Sequence, residues 1–144
     1  MKTLDSDIVV MAAGPAGLCA AVQAAEDGAK VIAIEKAPIP GGAANMGMGP
    51  LGIGTRYQKN QMVDVTVEKA FRMFMEYTHY QADANLVRKY FGMSAGTIEW
   101  LEEKGVQFAG AFRYFPKSEQ TWHICMTDKG IGRGAAAFMV KVLV

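Results

Sequence analysis

The N-terminal part of the chain contains two short apolar runs, separated by a glycine turn and an alanine-rich stretch. The first run, residues 8–11, is uninterrupted, and the second, residues 31–34, leads directly to the acidic Glu35. Continuous apolar runs of this length are typical of parallel strands that are covered on both faces. The alanine-rich stretch between them has apolar residues at helical spacing and ends at a glycine. The pattern therefore predicts a βαβ unit over residues 5–36.

The remainder of the chain is predicted to be mainly helical. Apolar residues recur at helical spacing over residues 57–105, and Asp83 and Ser94 are candidate N-caps of two successive helices. Residues 106–133 have no clear period, so we expect them to be irregular. Residues 134–144 begin a further helix, in which Ala136, Val140 and Leu143 would pack inward.

Composition and charge restrict the class of protein. The 144 residues suffice for one domain with a hydrophobic core, and the net charge of +1 gives no electrostatic reason to expect a nucleic acid or an anionic membrane as partner. No apolar run approaches the roughly 18–20 residues that span a bilayer, and the N-terminus lacks the features of a secretory signal. Cys19 and Cys125 have no metal-ligand spacing. We therefore expect no metal site and a reducing, cytoplasmic location.

The glycine turn matches a dinucleotide-binding fingerprint with one substitution. Residues 12–17 read Ala-Ala-Gly-Pro-Ala-Gly, where the fingerprint is G-x-G-x-x-G. Gly14 would let the backbone approach a pyrophosphate, next to the free N–H groups of the helix N-terminus, and Gly17 would let the helix pack closely against the strand. Ala12 replaces the first glycine, which costs on the order of 1 kcal/mol if the site requires a positive φ. Glu35 follows Gly14 by about 20 residues, the distance expected for a carboxylate that accepts ribose hydroxyls and repels a 2′-phosphate.

A glycine-rich loop over residues 37–56 distinguishes between the dinucleotides. Six glycines fall within residues 41–54. Glycines at this density cost chain entropy, and they are explained if the backbone must lie flat against a large group. A nicotinamide dinucleotide does not require such a loop directly after the second strand.

From Glu35 onward, the motif Glu-Lys-x-Pro-x-x-Gly-Gly-x-x-x-x-x-x-Gly resembles the flavoprotein subunits of fumarate reductases and succinate dehydrogenases. The resemblance covers the whole chain but only the N-terminal part of the family. It implies an α/β, Rossmann-like three-layer FAD-binding fold, truncated, with added helices, in which residues 1–144 are the N-terminal portion of an FAD-binding domain. The cofactor-binding residues implied by the fingerprint and the resemblance are Gly14, Pro15, Ala16, Gly17, Glu35, Lys36, Gly42, Ala43, Ala44, Met48, Gly49 and Pro50.

Two departures from the family pattern affect the cofactor. Ala43 occupies the position of the histidine that bonds covalently to the flavin in the succinate dehydrogenase branch, so the resemblance implies non-covalent FAD. Pro50 replaces the second glycine of a Gly-Gly pair. The resemblance also makes His123 a candidate on the substrate side of the flavin, with a structural or surface histidine as the alternative. Arg113 and Arg133 are the cations available for a carboxylate, again with surface or packing roles as the alternative.

The resemblance implies an FAD-dependent oxidoreductase that transfers hydride between the flavin and an activated carbon–carbon bond. The substrate would be a small molecule, an enoate or a related compound, and the electron donor is not indicated. The family's capping domain and catalytic arginine come later than residue 144, so the catalytic residues of this chain are unknown. One alternative is a truncated nucleotide-binding module that holds ADP or FAD without catalysis. A piece of an NAD-binding dehydrogenase is a further alternative.

Overall fold

The computed structural model describes residues 3–127, 130–131 and 134–144. The described helices and strands follow in chain order as β1 (Ile8–Met11), α1 (Pro15–Glu26), β2 (Val31–Ile34), a 3-10 helix (Gly42–Met46), α2 (Arg56–Asn60), α3 (Val67–Tyr77), α4 (Ala84–Glu103), β3 (Phe108–Phe112), β4 (Trp122–Cys125) and α5 (Ala136–Leu143).

The predicted βαβ unit is confirmed. Strands β1 and β2 pair in parallel, with Ile8 opposite Val31, and α1 connects them and packs against both. The helix buries Leu18 against the core. The expectation that the first strand is covered on both faces is wrong for the described chain. Met11 is 81% exposed, because among the described elements only the α1 side of this two-stranded sheet is extensively covered.

The predicted helical segment, residues 57–105, contains the three helices α2, α3 and α4. The Asp83 side chain caps α4 as predicted, because its carboxylate accepts from the backbone N–H of Asn85 and Leu86. The expectation that Ser94 begins a new helix is wrong, since α4 runs through it without interruption. The buried Ser94 hydroxyl donates to the Phe91 carbonyl within α4, a bond that lets a serine sit inside a helix.

The segment predicted to be irregular contains an antiparallel pair, β3 and β4. Phe108 lies opposite Cys125, Phe112 lies opposite Trp122, and the register shifts between these two pairs. Gly110 lies at this bulge with a φ of 138°. The bulge interrupts the alternation of inward and outward side chains, so the strands leave no simple period in the sequence. Strand β3 is nevertheless mostly buried.

The terminal helix is confirmed, with its predicted inward positions buried. Helix α5 packs against the 3-10 helix, α1 and β4, and Ala136, Val140 and Leu143 are each less than 10% exposed. It completes a core that joins α1 to β3 and β4, while a second core lies beneath α3 and the first half of α4. Both cores border the glycine-rich loop, which fixes the loop between them.

Candidate dinucleotide-binding site

The glycine turn is held in a strained conformation at its first position. Ala12 has a φ of 78°, in the left-handed region that favours glycine, and its N–H donates to the Ile34 carbonyl at 2.8 Å. At Gly17, a Cβ atom would lie 1.9 Å from the Ala12 carbonyl oxygen. Only glycine fits there, because α1 starts directly against the end of β1. The turn therefore keeps the fingerprint geometry despite the alanine.

Gly14 lies at the entrance to α1 and leaves open space in front of the helix. It is the N-cap, its backbone is extended, and a Cβ atom added to it would have no neighbour within 4 Å. Pro15 occupies the first turn, where the missing N–H removes no intrahelical hydrogen bond. The N–H groups of Ala16 and Gly17 follow at the positive end of the helix dipole. This arrangement can bind an anionic group such as a pyrophosphate.

Glu35 connects the end of β2 to the glycine turn. Its Oε2 accepts from the Ala13 N–H at 2.9 Å, and its Oε1 accepts from the Ala37 N–H at 2.9 Å. These backbone hydrogen bonds, that from Ala37 most of all, lower the pKa of the Glu35 carboxyl, which is therefore charged at neutral pH. Each oxygen of an ionised carboxylate has a second lone pair available for another donor. The carboxylate thus braces the turn and can still accept hydrogen bonds from a ligand.

The first half of the glycine-rich loop folds back onto the glycine turn. The Gly41 N–H donates to the Ala13 carbonyl at 2.7 Å, and a Cβ atom on Gly42 would lie 3.6 Å from Gly14 Cα. Gly41 and Gly42 both have positive φ, at 108° and 49°. The Asn45 side chain then holds the loop by donating to the Pro40 carbonyl at 2.9 Å. The turn, the carboxylate and this part of the loop therefore meet at one edge of the sheet.

The second half of the loop runs along β4 as an additional extended segment. The Met48 carbonyl accepts from the Cys125 N–H at 2.9 Å, and the Pro50 carbonyl accepts from the His123 N–H at 2.9 Å. At Gly49, a Cβ atom would lie 1.9 Å from the His123 carbonyl oxygen, so the two backbones approach more closely than any side chain would permit. This glycine is required for packing against β4.

His123 is fully buried beneath the loop, with a partner at each ring nitrogen. Its Nε2 lies 2.7 Å from the Thr55 hydroxyl oxygen and its Nδ1 lies 3.1 Å from the Thr121 carbonyl oxygen. Since a carbonyl only accepts, Nδ1 carries the proton and Nε2 accepts from Thr55. Burial lowers the pKa of His123, only partly opposed by the Thr121 carbonyl and the Glu102 carboxylate. The neutral ring therefore ties the loop to β4, and none of its surface is exposed to a substrate.

The residues that anchor the end of this loop were not predicted from the sequence. Thr55 and Gln58 form a capping box at the start of α2, and both are almost fully buried. The Gln58 amide also donates to the carbonyls of Gly52 and Gln120. The Thr-x-x-Gln spacing is a recognised helix-start signal that would have located α2.

The other predicted site residues differ in exposure. Lys36 and Ala43 are exposed, whereas Ala44 and Met48 are partly buried and pack against the core. Arg113 is exposed. Arg133 lies outside the described residues.

In the described ranges 3–127, 130–131 and 134–144 there is no group of three or more histidine, cysteine or acidic side chains arranged to bind a metal ion. None of the helices in this part of the chain combines the length and the apolar character needed to cross a membrane. Cys19 and Cys125 are both free thiols.

Comparison with protein families decides the class of the site. A family model described as an FAD binding domain matches residues 7–142, almost the whole chain. The chain belongs to this family. FAD is therefore the cofactor, and the predicted cofactor is confirmed.

Two relatives of this FAD-binding domain are named as reductases. It is 36% identical over 127 residues to the vinyl phenol reductase of Lactiplantibacillus plantarum, covering 88% of this chain and 25% of the relative. It is 34% identical over 138 residues to the fumarate reductase (cytochrome) of Shewanella frigidimarina, covering 95% of this chain and 24% of the relative. The chain thus spans about a quarter of the length of these curated relatives.

A solved structure confirms the predicted α/β fold. The open conformation of a flavocytochrome c3 fumarate reductase superposes on this FAD-binding domain with a TM-score of 0.81 and 27% sequence identity. The superposition covers 96% of this chain and 24% of that one. The predicted resemblance to the N-terminal part of the fumarate reductase flavoproteins is therefore confirmed.

The residues present are compatible with the cofactor. The open space in front of Gly14 and the N–H groups of the first turn of α1 suit a pyrophosphate. Gly42 approaches Gly14 with no side chain between them. Ala43 is exposed and carries no nucleophilic atom that could form a bond to a flavin.

Proposed function

We propose that this chain is the FAD-binding part of a reductase that transfers hydride between flavin and an activated carbon–carbon double bond. The observation that carries the proposal is the meeting of the glycine turn, Glu35 and the loop at Gly42 along one edge of the β1–β2 sheet. The relatives support it, since both are named as reductases. The bound FAD supplies the hydride chemistry, and the protein supplies its position and electrostatics.

Different residues of the chain would bind different parts of FAD. The helix N-terminus at Gly14 would bind the pyrophosphate and Glu35 would accept the ribose hydroxyls. The loop, held against β4, would lie along the flavin. The residues that we propose as cofactor contacts are Gly14, Pro15, Ala16, Gly17, Glu35, Lys36, Gly42, Ala43, Ala44, Met48, Gly49 and Pro50. With alanine at position 43, we propose that FAD is bound non-covalently.

His123 would act as a positioning residue rather than as a contact for the substrate. Its buried ring joins Thr55 to Thr121 across the loop. Loss of this connection would loosen the loop segment at Pro50, whose carbonyl accepts from the His123 N–H. The domain division that we propose follows the predicted boundaries, with the βαβ unit at 5–36 and the flavin loop at 37–56.

We propose that the substrate is a small molecule with an enoate or a related conjugated double bond, and that the protein is cytoplasmic. The relatives that support this class are named for fumarate and for vinyl phenols. The free thiols of Cys19 and Cys125 are compatible with a reducing compartment. The groups that donate protons to the substrate are proposed to lie outside these 144 residues.

The test begins with the absorption spectrum of the purified chain. A yellow protein with a flavin spectrum supports the FAD site, whereas displacement of the flavin by NADH would favour a piece of an NAD-binding dehydrogenase. After chemical reduction of the flavin, its reoxidation is followed with fumarate and with 4-vinylphenol under anaerobic conditions. Because the groups that donate protons to the substrate are proposed to lie outside these 144 residues, we expect this chain to retain FAD without reoxidation by either compound. Reoxidation by either compound would contradict that placement. A colourless protein that does not bind added FAD would contradict the FAD site.

A further inference from the structure

An apolar cleft of about 440 Å³ lies between α3 and the β3–β4 hairpin. Trp122 pairs with Leu51 of the glycine-rich loop, so both side chains project from the same face of the ladder. His123, the next residue of β4, projects from the opposite face. Six apolar or aromatic side chains that line this aromatic cleft are Leu51, Phe74, Tyr77, Tyr114, Phe115 and Trp122.

The aromatic cleft adjoins the loop proposed to lie along the flavin. Leu51 directly follows Pro50, the last of the proposed flavin contacts, and it forms part of the cleft wall. The backbone at Gly52 is fixed to Thr121 by a hydrogen bond of 2.9 Å. The wall of the cleft and the flavin-side segment of the loop are therefore one continuous piece of backbone.

The aromatic rings in the cleft are both exposed and arranged to receive another ring. Tyr114 and Phe115 are 54% and 63% exposed, although large aromatic side chains are usually buried in a core. Tyr114 lies edge-to-face with Phe115 at 4.6 Å between ring centroids, and tilted against Trp122 at 5.6 Å. Because these rings already pack against one another, their side chains would lose little conformational freedom on contact with a planar ligand.

The charges around the cleft favour an uncharged ligand. Among the described residues that line it, none is a lysine or arginine, and the one charged side chain is Glu119. The Glu119 Oε1 atom pairs with the Lys69 ammonium at 2.8 Å. A dicarboxylate would therefore meet a carboxylate and no unpaired cation in the lining. A hydroxyl group on the ligand, in contrast, would find an acceptor in Glu119.

We propose that the aromatic cleft binds an uncharged planar ring that carries a hydroxyl donor, of the phenol class. The volume lies within the range of about 300–1,000 Å³ that is usual for small-molecule pockets. The cleft is thus a ring-binding subsite for the substrate, a role that rests on the proposed reductase function. Binding of the ring itself does not depend on that function.

Three methionines make it possible to observe each of the main clefts separately. Met73 lines the aromatic cleft, Met93 lines a cleft between α1 and α4, and Met126 lines a cleft beside Glu102. The full 144-residue chain with ¹³C-labelled methionine methyl groups is titrated with 4-ethylphenol, 4-ethylanisole and succinate. The methyl resonances are followed by NMR.

The expected result is a saturable shift of the Met73 methyl with 4-ethylphenol, while the Met93 and Met126 methyls stay in place. The anisole, which has no hydroxyl donor, should bind more weakly, and succinate should shift none of the three. Similar shifts of all three methyls, or a Met73 shift with succinate as large as with the phenol, would overturn the proposal. So would the absence of any saturable shift.

Two substitutions with a matched control test the named contacts. Tyr114→Ala should weaken binding of 4-ethylphenol by about two- to tenfold, through the loss of a ring contact. Tyr90→Ala removes an equally exposed tyrosine of α4, outside the cleft lining, and should leave the affinity unchanged. Glu119→Gln should weaken the phenol but not the anisole. Equal effects of Tyr114→Ala and Tyr90→Ala, or equal losses for both ligands with Glu119→Gln, would contradict the assignment.

FAD binding is measured on the same samples by flavin fluorescence. If FAD binds and 4-ethylphenol does not shift Met73, the cleft proposal is wrong and the cofactor site stands. If 4-ethylphenol binds but FAD does not, the cleft is a ring-binding site whose link to the proposed reductase function is refuted.

Discussion

The Thr55 hydroxyl and the His123 ring form a buried hydrogen bond of 2.7 Å that joins the start of α2 to β4. Both residues are at most 1% exposed. Thr55 directly follows Ile53 and Gly54 in the glycine-rich loop. The bond therefore fixes the second half of this loop to β4. The shape of the flavin-side loop thus depends on a histidine that is 68 residues distant in the sequence.

We expect the Thr55–His123 pair to stabilise the fold as a coupled unit. His123→Phe and Thr55→Val should each lower the free energy of unfolding by about 1–3 kcal/mol, because each leaves a buried polar partner unsatisfied. The double variant should lose less than the sum, with a coupling of about 0.5–3 kcal/mol. Urea denaturation of the four proteins measures this cycle. Strictly additive losses would show that the two side chains do not interact.

The burial of His123 also predicts how stability depends on pH. Because burial lowers the pKa of the folded His123, the unfolded chain binds a proton first as the pH falls below the ordinary histidine value of about 6.5. The free energy of unfolding should therefore decrease from pH 7.5 to 5.5, and His123→Phe should reduce this decrease. His79→Asn, at the exposed second histidine, should retain the wild-type dependence. An equal slope in the wild type and His123→Phe would contradict the assignment.

Ala12→Gly should stabilise the chain. The alanine has a φ of 78°, which glycine adopts without a clash, so the substitution relieves on the order of 1 kcal/mol of strain. The gain is reduced by the greater freedom of glycine in the unfolded chain. The midpoint of urea denaturation should rise. A lower midpoint would indicate that the Ala12 side chain contributes packing that outweighs the strain.

Two glycine-to-alanine substitutions should have opposite effects. Gly17→Ala forces a Cβ atom to within 1.9 Å of the Ala12 carbonyl oxygen, so it should destabilise the fold by roughly 2 kcal/mol or more and weaken FAD binding. Gly92→Ala, inside α4 and with open space around the added Cβ, should stabilise by about 1 kcal/mol. Thermal unfolding of both variants provides the measurement. The same sign of change in both would show that helix propensity, not the close approach at Ala12, determines the outcome.

The parts of the fold that follow from local sequence were predictable, and the parts that depend on distant contacts were not. The βαβ unit and the Asp83 cap each have a signal within a few residues. Strand β4 pairs with β3 on one side and with the loop around Pro50 on the other. The bulge at Gly110 interrupts the alternation of side chains in β3. No local pattern indicates this ladder.

In the candidate site, too, the local features were predictable from the sequence and those that depend on distant contacts were not. Gly14, Gly17 and Glu35 have a fixed spacing in a recognised unit, and the structure places the Glu35 carboxylate against the backbone of the glycine turn. The burial of His123 was not apparent, because it depends on Thr55 and on the close approach of Gly49 to β4. The buried polar contact of His123 with Thr55 requires the loop to lie against β4.

The dissociation constant of FAD for Glu35→Ala, compared with the wild type, tests the central claim most directly. Glu103→Ala, at an exposed carboxylate at the end of α4, is the matched control. If Glu35 braces the glycine turn and accepts the ribose hydroxyls, its removal should weaken FAD by roughly tenfold or more, as expected for the loss of charged hydrogen bonds. The Glu103→Ala protein should bind FAD as the wild type does. An unchanged dissociation constant for Glu35→Ala, in a protein that remains folded, would contradict the proposed site.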